Sequence, residues 1–140
     1  DVELYDAGTG GMRIIHKIEG PKAILRALNS GRGVALVADQ NPVRGGIPVE
    51  FFGRAANTAR GPAVLALRTG APVFLAVSLR VEDGTHDYVV TMQEVPVEKT
   101  GALEDDVHTL VQEYTSLLEE AIREAPEQYF WHHRRWKERK

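Results

Sequence analysis

Apolar positions in this chain alternate between strand-like runs and helical stripes. The clearest pattern lies near the end, where Val107, Leu110, Val111, Tyr114, Leu117, Leu118, Ala121, Ile122 and Ala125 recur every three or four residues. That spacing predicts an amphipathic helix, with Asp105 and Asp106 suited to its first turn and Pro126 ending it. Earlier, Ala23, Ile24, Ala27 and Leu28 form a stripe that predicts a helix over residues 21–29, entered through Pro21. Val34-Ala35-Leu36-Val37-Ala38 predicts a buried strand over residues 33–38, and residues 71–81 predict a second core strand. Between them, residues 47–52 read as a short extended piece. Thr58 then reads as the cap of a helix that runs to about residue 68, with Pro62 in its first turn and Gly70 as its stop. Residues 12–18 read as a short strand, and residues 82–87 as a hairpin turn into a strand over 88–94. The turn-rich residues 1–11 read as a frayed terminus. Strands alternating with helices indicate one α/β layered domain with an antiparallel hairpin at one side.

Composition narrows the picture. With 140 residues, 43% hydrophobic and 26% charged, the chain has the makeup of a single soluble globular domain. It has no cysteine, which excludes disulfides, thiolate-bound zinc and thiol catalysis. No apolar run approaches the roughly 18 residues needed to span a bilayer, and no signal peptide is visible. The net charge of −3 hides a polarity. Residues 103–125 are acidic, whereas the ending His132-His133-Arg134-Arg135-Trp136-Lys137-Glu138-Arg139-Lys140 is basic. The chain starts with Asp1 rather than Met, as a processed, engineered or cut product would.

The most promising chemistry follows the strand at 33–38. Asp39-Gln40-Asn41-Pro42 puts an acid and an amide at a strand's carboxyl end, where open α/β sheets hold their ligands. Gly45-Gly46 and then Phe51-Phe52-Gly53 follow, so Asp39, Gln40 and Arg44 are expected to converge beside two aromatic walls. A structural turn capped by Asp39 is the plainer alternative.

Other constellations are weaker. His108 and Glu113 have an H-x4-E spacing, but five helical positions turn about 140°, so the two side chains face different ways. His86-Asp87 lies in a turn, and His16 with Glu19 flanks a short strand. Ser30, Ser78 and Ser116 lack a nucleophile elbow. His132-His133 has no third metal ligand at a suitable spacing, and Gly8-Thr9-Gly10-Gly11 lacks the ending of a phosphate loop. No cofactor and no metal are expected. The basic, aromatic tail has three readings: packing of Tyr129, Phe130 and Trp131 onto the domain, contact with anionic lipid or an acidic protein, and contact with nucleic acid. Nucleic acid is disfavoured, because the chain has neither a recognised motif nor a domain-wide basic surface.

In combination these segments resemble the bacterial lipid A biosynthesis acyltransferases, the late lauroyl/myristoyl transferase family. The resemblance rests on Val37-Ala38-Asp39-Gln40, Phe51-Phe52-Gly53, Thr58 with Gly61, and Leu65-Ala66 through Gly70-Ala71-Pro72-Val73. The ending Pro126-Glu127-Gln128-Tyr129-Phe130-Trp131-His132-His133-Arg134-Arg135-Trp136-Lys137 is similar to the family's P-x-Q-Y-x-W-x-H-R-R-x-K signature. Asn41 and Glu50 depart from the pattern. The similarity covers residues 33–140.

The resemblance implies the C-terminal half of a glycerolipid-acyltransferase-like layered fold, with a mixed sheet flanked by helices and a long C-terminal amphipathic helix. It implies transfer of a fatty acyl chain from acyl carrier protein or a coenzyme A thioester to a hydroxyl of a lipid A precursor or related glycolipid, at the cytoplasmic face of the bacterial inner membrane. On that reading Asp39, Gln40 and Arg44 hold the acceptor, and Phe51 and Phe52 wall the lipid path with Gly53 beside them. The amides near Ala59, Arg60 and Gly61 bind an anion, and Thr58 is counted with them among the substrate-binding residues. Arg134, Arg135 and Lys137 meet the acidic carrier protein or anionic headgroups. The family's His-x4-Asp/Glu base would precede Met12, where there is no histidine, so this chain alone is expected to be inactive and to self-associate through an uncovered face. The competing reading is a non-catalytic α/β module that binds lipid or protein through its tail.

Overall fold

The computed structural model describes residues 2–6, 11–15, 20–81 and 87–137. Among the described residues, three antiparallel sheets, rather than one mixed sheet, pack with three α-helices. The first joins β1 (Val2–Asp6), β2 (Gly11–Ile15) and β3 (Val34–Leu36) in the order β2-β1-β3. Residues 2–6 are thus a strand and not a frayed end, and β3 is short and half-exposed rather than a buried core strand. Helix α1 (Gly20–Asn29) packs Ile24 and Ala27 against Ile15, Val34 and Leu36. His16, Glu19, His86 and the Gly8-Thr9-Gly10 stretch lie outside the described residues.

The second sheet is a hairpin of β4 (Gly46–Phe51) and β5 (Arg54–Ala59), paired so that Phe51 faces Arg54. Its two-residue loop is Phe52-Gly53, with φ of 52° and 70°. Positive φ at both central residues matches the twist of the flanking strands, as a hairpin turn requires. Phenylalanine tolerates this conformation poorly. Here its N–H donates to Glu119 Oε2 at 2.5 Å, and its ring lies 4.7 Å from that of Phe51. Thr58 belongs to β5 and caps no helix. Helix α2 (Gly61–Thr69) instead starts at Arg60 without a side-chain cap and ends at Gly70, whose φ of 73° lets its N–H reach the Ala66 carbonyl.

The third sheet pairs β6 (Val73–Arg80) with β7 (Tyr88–Val95). One face turns Val73, Leu75 and Val95 toward the core, while Phe74, Tyr88, Val90 and Met92 are exposed on the other. Helix α3 (Leu103–Glu124) crosses the molecule and buries Val107, Leu110 and Val111 against Val49, Ala63, Ala66, Leu67 and Val95. Its far end covers Phe51 and Ala56 with Ile122. Ala125 leaves the helical region before Pro126, as the residue before a proline tends to do.

The loop into α3 is tied by Asp106. Its Oδ1 accepts from the Thr100 hydroxyl at 2.6 Å and the Thr100 N–H at 3.0 Å, while Oδ2 accepts from the Gly101 N–H. The Thr100 hydroxyl, then its N–H, hold this carboxyl below its ordinary value of 3.8, against a smaller opposing effect of burial. Folding therefore lowers the pKa, so the contribution is complete above the unfolded value and is lost as pH falls through the folded one. Asp106→Asn should lower the urea midpoint at neutral pH, and the gap from wild type should close as pH drops below 3.8. A gap that stays constant into acid would show that the carboxylate charge is not what matters.

Candidate active site

The strand-end segment is clamped to the C-terminal tail. The Asn41 N–H donates to His133 Nε2 at 2.8 Å, and the Asn41 side-chain amide donates to the Lys137 carbonyl at 2.8 Å. Asn57 on β5 donates to Asn41 Oδ1 at 3.3 Å. The glycine-rich turn makes room for this link. A Cβ on Gly46 would sit 2.5 Å from Asn57 Oδ1, and Gly45 has a φ of 72°.

Arg135 is the centre of the assembly. It is only 2% exposed, with Nη1 donating to the Asn57 carbonyl at 2.6 Å and Nη2 to Thr58 Oγ1 at 2.5 Å. Its guanidinium carbon lies 5.2 Å from the centre of the Phe51 ring, which is fully buried. Burial pushes the Arg135 pKa down, and the nearby Tyr129, Asp39 and Tyr114 offset part of that push. The Tyr129 hydroxyl is raised by burial and by the charge of Asp39. Tyr114 donates to the Ala59 carbonyl at 2.6 Å, and burial raises its pKa strongly. Two polar atoms in this group are buried without a hydrogen-bond partner among the described residues: Asp39 Oδ1 and Arg135 Nε. Buried polar groups are rarely left so, and a carboxylate oxygen beside a guanidinium can receive a donor from a ligand.

An aromatic wedge completes the tail's seat. Trp136 stacks on Phe51 at 5.5 Å and donates from Nε1 to the Phe51 carbonyl at 3.2 Å. Tyr129 and Trp131 meet edge to face at 4.9 Å. At Phe52, burial works against the Glu119 charge, but the Phe52 N–H and Arg123 outweigh it and hold that carboxyl low. Arg123 also lies over the Phe52 ring at 4.8 Å.

The structure rearranges the residues expected to form the site. Asp39, Thr58, Phe51 and Arg135 come together, with Arg135 as their link. Gln40, Arg44 and Gly53 are exposed beyond this group. Phe51 is core and has no open face to offer a lipid path; Phe52 is half-buried on the hairpin turn. Arg135 is interior and offers almost no surface to a membrane or carrier, whereas Arg134 and Lys137 are exposed. Arg60 pairs with Glu104 at 2.7 Å, and Gly61 opens α2 just past the end of β5. The sequence reading did not name Asn57; it placed Tyr114 only in the apolar stripe of α3, and His133 only in the tail signature and the dismissed His132-His133 pair. Asn41, read as a departure, is the buried hinge of the clamp. Glu50 is exposed, with its backbone held from both sides by Gln112. His108 and Glu113 are both exposed on α3. Among the described residues no three acidic or histidine groups are grouped to hold a metal, and no helix is long and apolar enough to cross a membrane.

Comparison with known proteins decides the family. The model of the family described as "Bacterial lipid A biosynthesis acyltransferase" matches residues 9–138. The chain belongs to this family. The match corrects the expectation that only a C-terminal portion, from residue 33 onward, carries the resemblance. The family's mixed α/β fold spans nearly the whole chain and is not merely its C-terminal half. A curated relative, the phosphatidylinositol mannoside acyltransferase of Mycolicibacterium smegmatis, is 36% identical over 66 residues, which are 47% of this chain and 20% of that protein. The chain thus matches about a fifth of that relative's length.

Proposed function

We propose that the protein moves a fatty acyl chain from acyl carrier protein or a coenzyme A thioester to a hydroxyl of a glycolipid, and that Asp39 helps hold this acceptor. The buried, unpartnered Asp39 Oδ1 carries the reading. It lies just beyond β3 beside Arg135, where a hydroxyl brought within reach would satisfy it. In the reaction the acceptor oxygen attacks the thioester carbonyl carbon. A C–O bond forms, the C–S bond breaks, and the hydroxyl proton passes by way of a base to the leaving sulfur.

No histidine of the described residues stands ready as that base. His108 and His132 are exposed, and His133 Nε2 is engaged by the Asn41 N–H. Asp39 is thus a positioner rather than the base. Gln40 and Arg44, exposed at the rim, would meet the acceptor's sugar or phosphate. Arg134 and Lys137 would meet an acidic carrier or anionic headgroups at the inner membrane. The family description suggests a lipid A precursor as acceptor, and the relative's name suggests a phosphatidylinositol mannoside.

The full-length protein, given a radiolabelled acyl thioester and each acceptor in turn, tests this reading. Asp39→Asn should raise KM for the acceptor about tenfold or more, since each tenfold corresponds to about 1.4 kcal/mol. Its KM for the thioester should stay put. Unchanged acceptor KM in this variant would remove Asp39 from the site, and failure to transfer to either acceptor would favour a binding module instead.

A further inference from the structure

Strand β7 is exposed at every position but Val95, so among the described residues no element overhangs it. Its backbone has a fixed phase against β6. The Val81 N–H donates to the Asp87 carbonyl at 3.0 Å, which makes these two a hydrogen-bonded pair of the ladder. Such pairs alternate along an antiparallel ladder, so Val77 with Thr91 and Leu75 with Gln93 repeat it. Tyr88, Val90, Met92 and Glu94 fall between them, and their N–H and C=O groups point away from β6. Among the described residues no other strand pairs with that edge. The edge of β6 is different. The Gln128 side chain sits against it like one residue of a further strand, accepting from the Arg80 N–H at 2.8 Å and donating to the Arg80 carbonyl at 3.2 Å. An incoming strand would have to displace that amide. β7 carries none of the devices that blunt such an edge: it has no proline, no lysine and no bulge.

The occupant that fits is a second copy of the same strand. In an antiparallel pairing about a two-fold axis at Thr91, Tyr88 faces the partner's Glu94 and Val90 faces the partner's Met92. Every outward backbone group then finds a partner. An axis at Val90 instead leaves Glu94 beyond the start of the partner's strand, and an axis at Met92 leaves Tyr88 beyond its end. Side chains favour the same register. Tyr88, Val90 and Met92 are 63%, 61% and 66% exposed and would meet in one apolar patch. Charges favour it too. This face has Glu94 at one end and Arg80, beside Tyr88, at the other. The two-fold axis brings each Glu94 to the end where the partner's Arg80 stands, and it sets no like charges opposite each other. We infer that the protein forms a two-fold dimer by pairing β7 with β7 of a second copy, an interface that does not depend on the acyl-transfer reading above.

Sedimentation velocity over a concentration series should show a monomer–dimer equilibrium. Met92→Lys, a change at an exposed position, should weaken it about tenfold or more at an unchanged melting temperature. Adding Val90→Glu to Met92→Lys should restore association, since the register sets each introduced acid opposite an introduced base. Cross-linking reads the axis directly. Thr91 would face the partner's Thr91 as a non-hydrogen-bonded pair, with Cα atoms about 4.5 Å apart and within reach of a disulfide. The sequence has no cysteine of its own, so Thr91→Cys should oxidise to a covalent dimer. Val77→Cys, its neighbour on β6, should stay unlinked. A strictly monomeric protein, association undiminished in Met92→Lys, or linkage through Val77→Cys instead of Thr91→Cys overturns the assignment. So does a longer form of the polypeptide that is monomeric and resists linkage through Thr91→Cys, because another of its segments would then cover β7.

Discussion

Arg135→Ala should cost about 3 kcal/mol or more of folding stability, read as a lower urea midpoint at an unchanged slope. The guanidinium satisfies the Asn57 carbonyl and the Thr58 hydroxyl in the interior, and both would lose their partner. Its removal also opens a void over Phe51 and strips Asp39 and Tyr129 of the positive charge that faces them. Arg135→Lys keeps the charge but not the planar fork, so it should recover only part of the loss. The neighbouring Arg134→Ala and Lys137→Ala are the controls. Both side chains are exposed, and such changes usually stay within about 0.5 kcal/mol. Equal midpoints for the Arg135 and Arg134 variants would contradict the buried placement of Arg135.

Phe51→Ala should cost about 3–5 kcal/mol, the range for a truncated core aromatic. Phe51 is fully buried among Ala56, Ile122, Tyr129 and Trp136, with little room for collapse around the void. The tail should loosen at the same time, because Trp136 both stacks on this ring and donates to its carbonyl. Trp fluorescence that reddens before global unfolding would report that step. Phe52→Gly is the informative partner. It gives up a half-buried ring but relieves a positive φ that glycine adopts freely, so its net cost should be far smaller. Were Phe51 a wall of the lipid path, its loss would impair binding and leave the midpoint alone.

These two residues also show where sequence reading stops. Both were singled out for function, Phe51 as a lipid wall and Arg135 as a surface contact, and both are core. A run such as His132-His133-Arg134-Arg135-Trp136-Lys137 has no periodicity to say which cation turns inward. Burying one arginine takes acceptors from β5, some 77 residues away along the chain. The hairpin that supplies them was hidden as well. Its turn has Phe rather than Asn or Asp at the first position, and the alanines of β5 give no alternation. Thr58 before Pro62 reads locally as a helix cap, yet its hydroxyl is claimed by Arg135.

Local elements were legible because their causes are local. The stripe of α3, the proline-entered α1, the Gly70 stop of α2 and the paired runs of β6 and β7 follow from side-chain spacing and from the backbone preferences of glycine and proline. Motif order was enough to suggest the family, but not the share of the chain that belongs to it. Only the tertiary structure decided that the strand-end acid and the basic tail lie together, because that union depends on hydrogen bonds to Asn41 and Arg135 across more than 70 residues. It also decided that β7 rather than β6 keeps its edge open, because the amide that caps β6 belongs to Gln128, 48 residues from Arg80 in the chain. No spacing within one strand records what lies beyond its edge.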